Sequence, residues 1–338
     1  MTISANVSLL AQSTSQSNRL NDLRSTLDDL QRQSTTQKKY DTYAGFGTDA
    51  LNLQRLHSSQ PLLQSYMDNI DTVSNTMTLM NTSLSQISDV GNQLVQAIQL
   101  QLQGGQANMQ TIRAQAQQGL SFVEDLMNQN INGHYIFAGS DVTNQPFVDN
   151  STLNSNFQNQ LTGWLAGTVS NAQLISTTDS FNASNLGLSA GLAAAGPITA
   201  RIDQNLDVDY TIKADQPGFQ DILRALTFAA NLPYPDPSTD VATPTQFNDI
   251  LNHVLDLTTN GVKEIDDTTQ QLASKFNLIK SIRDTHASDM DLEQTQMDKI
   301  ENADPTSALV SMQALQTQLT ASYQVTSMIS QMSLTNFL

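Results

Sequence analysis

The chain contains no cysteine. That excludes thiolate catalysis, CxxC redox chemistry, Cys-ligated zinc and any disulfide staple. Charge is scarce: charged residues make up 14% of the sequence, where about 25% is ordinary. Basic residues are scarcest, 15 against 32 acidic, for a net charge of -17. No Lys or Arg occurs between Arg113 and Arg201. A chain of this sign releases no counterions from phosphates, so neither nucleic acid nor an anionic membrane is expected as a partner. No stretch approaches the roughly 20 apolar residues of a membrane span. Residues 1–18 carry no charge, and Ile3, Val7, Leu9 and Leu10 are separated by Ser, Asn and Gln. They lack the basic and continuous apolar regions of a cleaved secretory signal. Taken alone, composition reads as cytoplasmic.

Uncharged polar residues fill the gap, with Gln, Asn, Ser and Thr throughout. Low charge argues against charge-driven disorder. Hydrophobic residues at 38% argue against one compact globule. The 338 residues allow two or three domains.

Signals for catalysis are weak. His57, His134, His253 and His286 stand in separate segments, without an HxxxH or HExxH pattern. Gly45-Phe46-Gly47-Thr48-Asp49-Ala50 matches GxGxxA, but a dinucleotide site needs an apolar strand before it. Lys38-Lys39-Tyr40-Asp41-Thr42-Tyr43 stands there instead. The glycines read as a flexible joint between two helices, and Asp266-Asp267 as a solvated helix face. The expectation is a protein that is not an enzyme and takes no cofactor or metal.

Periodicity is the strong signal. Leu63, Tyr66, Ile70, Val73, Met77, Met80, Leu84, Ile87, Gly91, Leu94 and Ile98 alternate spacings of three and four. Five such heptads predict a long helix in a bundle or coiled coil, with Pro61 at its first turn and Gly104-Gly105 ending it. A second helix is expected over 107–130, with Met109, Ile112, Ala116, Val123 and Leu126 inward. The seam returns at Val262, Ile265, Thr269, Leu272, Phe276 and Ile279. It then admits Arg283, His286 and Glu293 before Met297 and Ile300, so its later half is expected to be wetter.

Between the bundle segments, residues 140–245 hold seven of the nine prolines and short β-prone runs at 167–175, 197–203 and 206–213. Period-two alternation in the last run reads as half-exposed strand. Pro217–Asn231 reads as a helix. The whole is expected to be an inserted, β-rich, surface-facing domain.

At the ends, Leu20, Leu23, Leu27 and Leu30 form a short seam. From Pro305 to Leu338 no charged side chain occurs, while Ala308, Met312, Leu315, Leu319, Ser322, Thr326, Ile329 and Ser333 keep heptad spacing. Leu309, Tyr323, Val325, Met328 and Met332 lie on other faces. A solvated helix normally shows a charged face. This one reads as a helix meant to be enclosed, ordering fully only among neighbours.

Two stretches resemble a known family. Asn132-Gly133-His134-Tyr135-Ile136-Phe137-Ala138-Gly139-Ser140, then Gln145-Pro146-Phe147, is similar to the "G-Y-hydrophobic-F-A-G … P-F" signature of the bacterial flagellar hook–filament junction protein (hook-associated protein 3). The residues carrying it are Gly133, Tyr135, Phe137, Gly139, Pro146 and Phe147. The ending Leu315-Gln316-Thr317-Gln318-Leu319-Thr320-Ala321-Ser322-Tyr323 … Ser333-Leu334-Thr335-Asn336-Phe337-Leu338 looks like that family's "ALQASY … SL-NYL". Filament flagellins carry "NG … LL-G" and end near "LSLL-R". One departure stands out, since the family's "PSDDP"-like joint is replaced here by residues 45–50.

The resemblance implies a mainly α, flagellin-like architecture. Terminal helices (1–45 and 303–338) form an inner coiled-coil layer, a long-helix bundle (46–139 and 246–302) a second, and the insertion (140–245) an outer domain. Leu20, Leu23, Leu27, Leu30, Met312, Leu315, Leu319, Tyr323, Thr326, Ile329 and Met332 would then form the assembly interface. It also implies type III export without a cleaved signal peptide, and secretion to the flagellum. The implied partners are copies of itself in a ring, the first hook-associated protein, flagellin and a cytoplasmic export chaperone. Two alternatives stay open. One is a self-polymerising flagellin. The other is an unrelated helical secreted protein or flagellin-embedded protease, which would need a metal-ligand helix in the insertion. His253 is the one histidine between Gly139 and Gln270.

Overall fold

The computed structural model describes residues 2–104 and 109–335, with side chains described over 14–103 and 109–328. The chain is mainly α, and it divides into two compact units: residues 1–63 with 287–338, and residues 64–286. Eight helices and two small antiparallel sheets follow in chain order among the described residues.

The long seam forms as its spacing predicts. Helix α2 spans Ala50–Gly104, and Tyr66, Ile70, Val73, Met77, Met80, Leu84, Ile87, Leu94 and Ile98 are all buried, with Leu63 half-buried. Pro61 does not open this helix. It lies inside it, where its missing N–H costs one ladder hydrogen bond. Gly91 is the one seam position without a side chain because a Cβ there would come within 2.4 Å of Val262 Cγ2 and 3.0 Å of Ile222 Cδ1. Helix α3 (Met109–Met127) buries Met109, Ile112, Ala116, Leu120, Val123, Leu126 and Met127, the face its spacing predicts. Helix α7 (Pro244–Glu301) buries Val262, Ile265, Leu272 and Ile279. Beyond Ile279 its seam opens, with Arg283 and Glu293 half-buried. His286 departs from that opening. It is 4% exposed, stacked on Tyr66 at 5.7 Å, and its Nε2 donates to the Ile202 carbonyl at 2.8 Å.

The insertion is less β-rich than its sequence reads. Its sheet is one hairpin, β3 (Thr199–Asp203) with β4 (Leu206–Asp209), at the expected positions. Residues 171–175, the later part of the run 167–175 read as strand, lie instead in helix α5 (Asn171–Asp179). Ser170 and Gln173 close a capping box there, and that local bonding outweighs the strand preference of Val169 and Ile175. Helix α4 (Asn150–Leu165) opens on Asp149, whose carboxylate accepts from the Ser151 and Thr152 amides. It buries Leu153, Phe157, Leu161 and Trp164. Helix α6 (Pro217–Asn231) has the predicted bounds and is buried along nearly its whole length. Where α6 crosses α7, Gly218 and Gly261 face each other, and a Cβ on Gly261 would lie 3.1 Å from the Gly218 carbonyl oxygen.

Helix α1 (Thr2–Thr36) and helix α8 (Pro305–Thr335) pack against each other. The Gln37 carbonyl accepts from the Ala303 amide at 2.8 Å, and Arg24 Nε donates to Tyr323 Oη at 2.9 Å. The two helices therefore run antiparallel.

Candidate assembly surface

Two opposed faces of α8 make the candidate site. One face carries the predicted seam. Ala308 and Leu319 are buried, and Met312, Leu315, Ser322 and Thr326 are half-buried. Across from them Leu20, Leu23, Leu27 and Leu30 of α1 are each half-buried. The structure thus brings together all the predicted interface residues with described side chains, except Tyr323. Tyr323 stands beside the seam, 42% exposed, with Arg24 over its ring at 5.6 Å. The side chains of Ile329 and Met332 lie outside the described residues.

The other face includes Met328, which the sequence places off the first seam, but its own row is not evident from the apolar residues alone. At about 100° per residue, Val310, Ala314, Thr317, Ala321, Gln324 and Met328 fall opposite the first seam, and their spacing alternates four and three. Every one is exposed, Val310 by 61% and Met328 by 62%, and the neighbouring Val325 by 49%. The signal was present, since two interleaved heptad rows on one charge-free helix define two seams. Beside the seam that α1 fills, a groove of about 610 Å³ runs along Leu20, Leu23, Ala321, Ser322 and Val325, with Arg19 and Asp22 on its rim.

A clamp sits where α1 and α8 join the ends of α2 and α7. Lys38 pairs with Asn302 as an isolated β-bridge, and the Lys39 amide donates to the Glu301 carbonyl at 2.7 Å. The Glu301 carboxylate accepts from Lys38 Nζ at 3.2 Å and from His57 Nε2 at 2.5 Å. Burial pushes this carboxyl up, but the hydrogen bonds from His57 and Lys38 prevail and hold it below its ordinary range. The GxGxxA segment lies in a 3-10 turn here (Tyr43–Asp49), in which Gly47 has φ +54°. Tyr40 packs edge-on to Phe46 at 5.2 Å, and Phe46 lies against the small core of Leu53, Leu56 and Met297.

The family-motif residues shape the backbone. Asn130–Ile131 (β1) pairs with His134–Tyr135 (β2) around Asn132 and Gly133, whose φ values of +53° and +84° make an Asn-Gly hairpin. The Tyr135 amide then donates to the Val142 carbonyl at 2.8 Å. Phe137 is fully buried, edge-on to Phe219 at 5.4 Å. Gly139 takes φ +62° beside the Gly196 carbonyl, with 3.1 Å left for a Cβ. Pro146 accepts from the Ser189 amide at 2.8 Å. Asn128 and the Phe147 backbone exchange two hydrogen bonds of 2.9 Å. These residues set the path of the chain from α3 into the insertion.

The four histidines stay apart, as their spacing implies: His57 in the clamp, His134 exposed in β2, His253 beside Asp179, His286 buried. Among the described residues no three His, Asp or Glu side chains gather to hold a metal ion, and no helix is long and apolar enough to cross a membrane.

No protein-family model and no curated protein matches the chain. Solved structures do. One, described as a flagellar hook-associated protein of Vibrio parahaemolyticus, superposes with a TM-score of 0.50 at 11% identity, covering 75% of this chain and 97% of that one. FlgL of Bacillus cereus gives a TM-score of 0.50 at 12% identity, covering 73% and 98%. The chain therefore has the mainly α, flagellin-like fold of the flagellar hook-associated proteins.

Proposed function

We propose that the chain is a structural subunit of the bacterial flagellum, an adaptor between the hook and the flagellin filament. The observation that carries this reading is the double seam of α8. A charge-free helix with two opposed heptad rows, one covered by α1 and one open, is built to stand between neighbours. The neighbours are copies of this chain in a ring, the first hook-associated protein below and flagellin above. Residues 1–45 with 303–338 then form the inner layer, 46–139 with 246–302 the second, and 140–245 the outer domain. Uncharged polar positions in the first seam, Ser322 and Thr326, let helices register without fixing one charge pairing. Before assembly the same open face needs a cover, which a cytoplasmic export chaperone supplies until type III secretion.

Seeded polymerisation tests the reading. The purified chain is added to short flagellin filament seeds and viewed by negative-stain electron microscopy. An adaptor binds seed ends without elongating them. Long filaments grown from this protein alone would make it a flagellin and overturn the proposal.

A further inference from the structure

Helix α2 carries no charge between Asp71 and Asp89. Polar rungs join it to α7 at both ends of this span. Arg283 donates to Asp71 at 2.6 and 3.1 Å, and Ser88 donates to Asp266 at 2.8 Å. Between the rungs lies an open groove of about 270 Å³, lined by Met77, Thr78, Asn81, Leu272, Ala273 and Phe276. A cavity of about 150 Å³ already holds benzene, so the groove has room for one aromatic side chain. Met77 in its wall suits a ring, since thioether and aromatic groups attract. One turn beyond Phe276 on α7, Lys280 is exposed.

An aromatic side chain is exposed on α3. Phe122 is 43% exposed, and Asp125, one turn further along the same face, is exposed as well. Phe122 borders a second groove, whose α2 wall is Val90, Gln93 and Leu94. At about 100° per residue, those three lie roughly opposite Met77, Thr78 and Asn81 around α2. Phe122 therefore faces away from the groove of its own chain and can fill only that of another copy. A knob and a groove on opposite sides of one bundle make a heterologous contact, which repeats from copy to copy.

Charge favours the same match. A net charge of -17 sets copies against one another, so a contact between them gains from a scarce cation facing a carboxylate. Neither Lys280 nor Asp125 is held in an ion pair among the described residues. The knob offers a ring and a carboxylate one turn apart, and the groove an apolar gap and an ammonium one turn apart. We propose that neighbouring bundles join by insertion of Phe122 of one copy into the Met77–Leu272–Phe276 groove of the next, with Asp125 against Lys280. The contact rests on the reading that copies of this chain stand side by side, and it names the surfaces that meet.

Disulfide trapping on the full chain, which has no native cysteine, tests the contact. Gln118→Cys, one turn before Phe122, is combined with Asn81→Cys at the groove; both positions are exposed. Oxidation is expected to give a ladder of dimers, trimers and longer species on a non-reducing gel. Adding Phe122→Ala should slow trapping by about fivefold or more, as for a central aromatic anchor. Asp125→Lys or Lys280→Asp alone should slow it about three- to tenfold, and the two together should restore the rate to within about twofold. Both reversals alter exposed positions, so these variants fold whatever Phe122→Ala does. Trapping that is indifferent to Phe122→Ala and to each reversal, or reversals whose losses add instead of cancelling, would overturn the proposal. Binding to filament ends is read separately, so trapping lost with end binding intact removes this contact and leaves the adaptor reading standing.

Discussion

Glu301 and His57 meet at 2.5 Å, joining the last residue of α7 to the second turn of α2, while the other oxygen of Glu301 holds Lys38. One carboxylate thereby fixes three chain segments at the base of the terminal helices. Its pKa is depressed, so its stabilisation is present above the ordinary glutamate value of about 4.3 and is lost as pH falls through the depressed one. Glu301→Gln should increase hydrogen exchange at the Lys39 amide at pH 7 and remove the parent chain's advantage below pH 4. Unchanged Lys39 protection would show that the backbone pairing alone closes the joint.

Gly91 marks a close approach of α2 to α7. Alanine is the better helix former by about 1 kcal/mol, yet its Cβ would collide with Val262 Cγ2. Overpacking of this kind costs about 1–3 kcal/mol. Gly91→Ala should therefore lower stability by about 1 kcal/mol net in urea unfolding. In a Val262→Ala background the same change should cost clearly less. Equal cost in both backgrounds would locate the clash elsewhere.

The two faces of α8 should separate folding from assembly. Leu319 is 6% exposed against α1, and Leu319→Ala should destabilise that helix pair by about 2–3 kcal/mol. Val310→Lys with Met328→Lys alters only exposed positions and should change stability by less than about 0.5 kcal/mol each. That double variant should nevertheless fail to bind filament ends. Normal end binding would remove the open seam from the interface.

Asp149 caps α4 through hydrogen bonds from Ser151 and Thr152, which push its carboxyl down to about 2. The cap is fully present above the unfolded aspartate value of about 3.9 and fades as pH falls towards 2. Trp164, the sole tryptophan, sits in α4 with its Nε1–H on Asn171 at 2.7 Å, so its fluorescence reports on this helix. Asp149→Ala should lower the urea midpoint of the Trp164 signal at pH 7, and the gap from the parent chain should close as pH falls from 4 to 2. A gap that persists at pH 2 would contradict the capping account.

The bundle was legible because its periodicity is local: from Tyr66 to Ile98 every residue of the predicted seam is buried. The insertion was less so. Its Thr, Val and Ile residues favour strand, while the features that decide for helix are single hydrogen bonds, the Ser170–Gln173 box and the Asp149 cap. Both caps stand in the sequence as short patterns, as does the spacing of Leu153, Phe157, Leu161 and Trp164. Pro61 misled as a helix start because tertiary packing on both sides carries α2 through it. The burial of His286 was not legible, since the Ile202 carbonyl and the Tyr66 ring that receive it come from distant parts of the chain. At the candidate surface the first seam of α8 was read directly. The second was legible only as apolar residues on other faces, Met328 among them, because small residues, Ala314, Thr317 and Ala321, occupy its centre.

The most direct test of the adaptor claim is immunogold electron microscopy of intact flagella from the producing bacterium, using antibody to residues 140–245. Gold confined to the boundary between hook and filament is the expected result. Gold along the whole filament, or none on flagella, would contradict the adaptor claim.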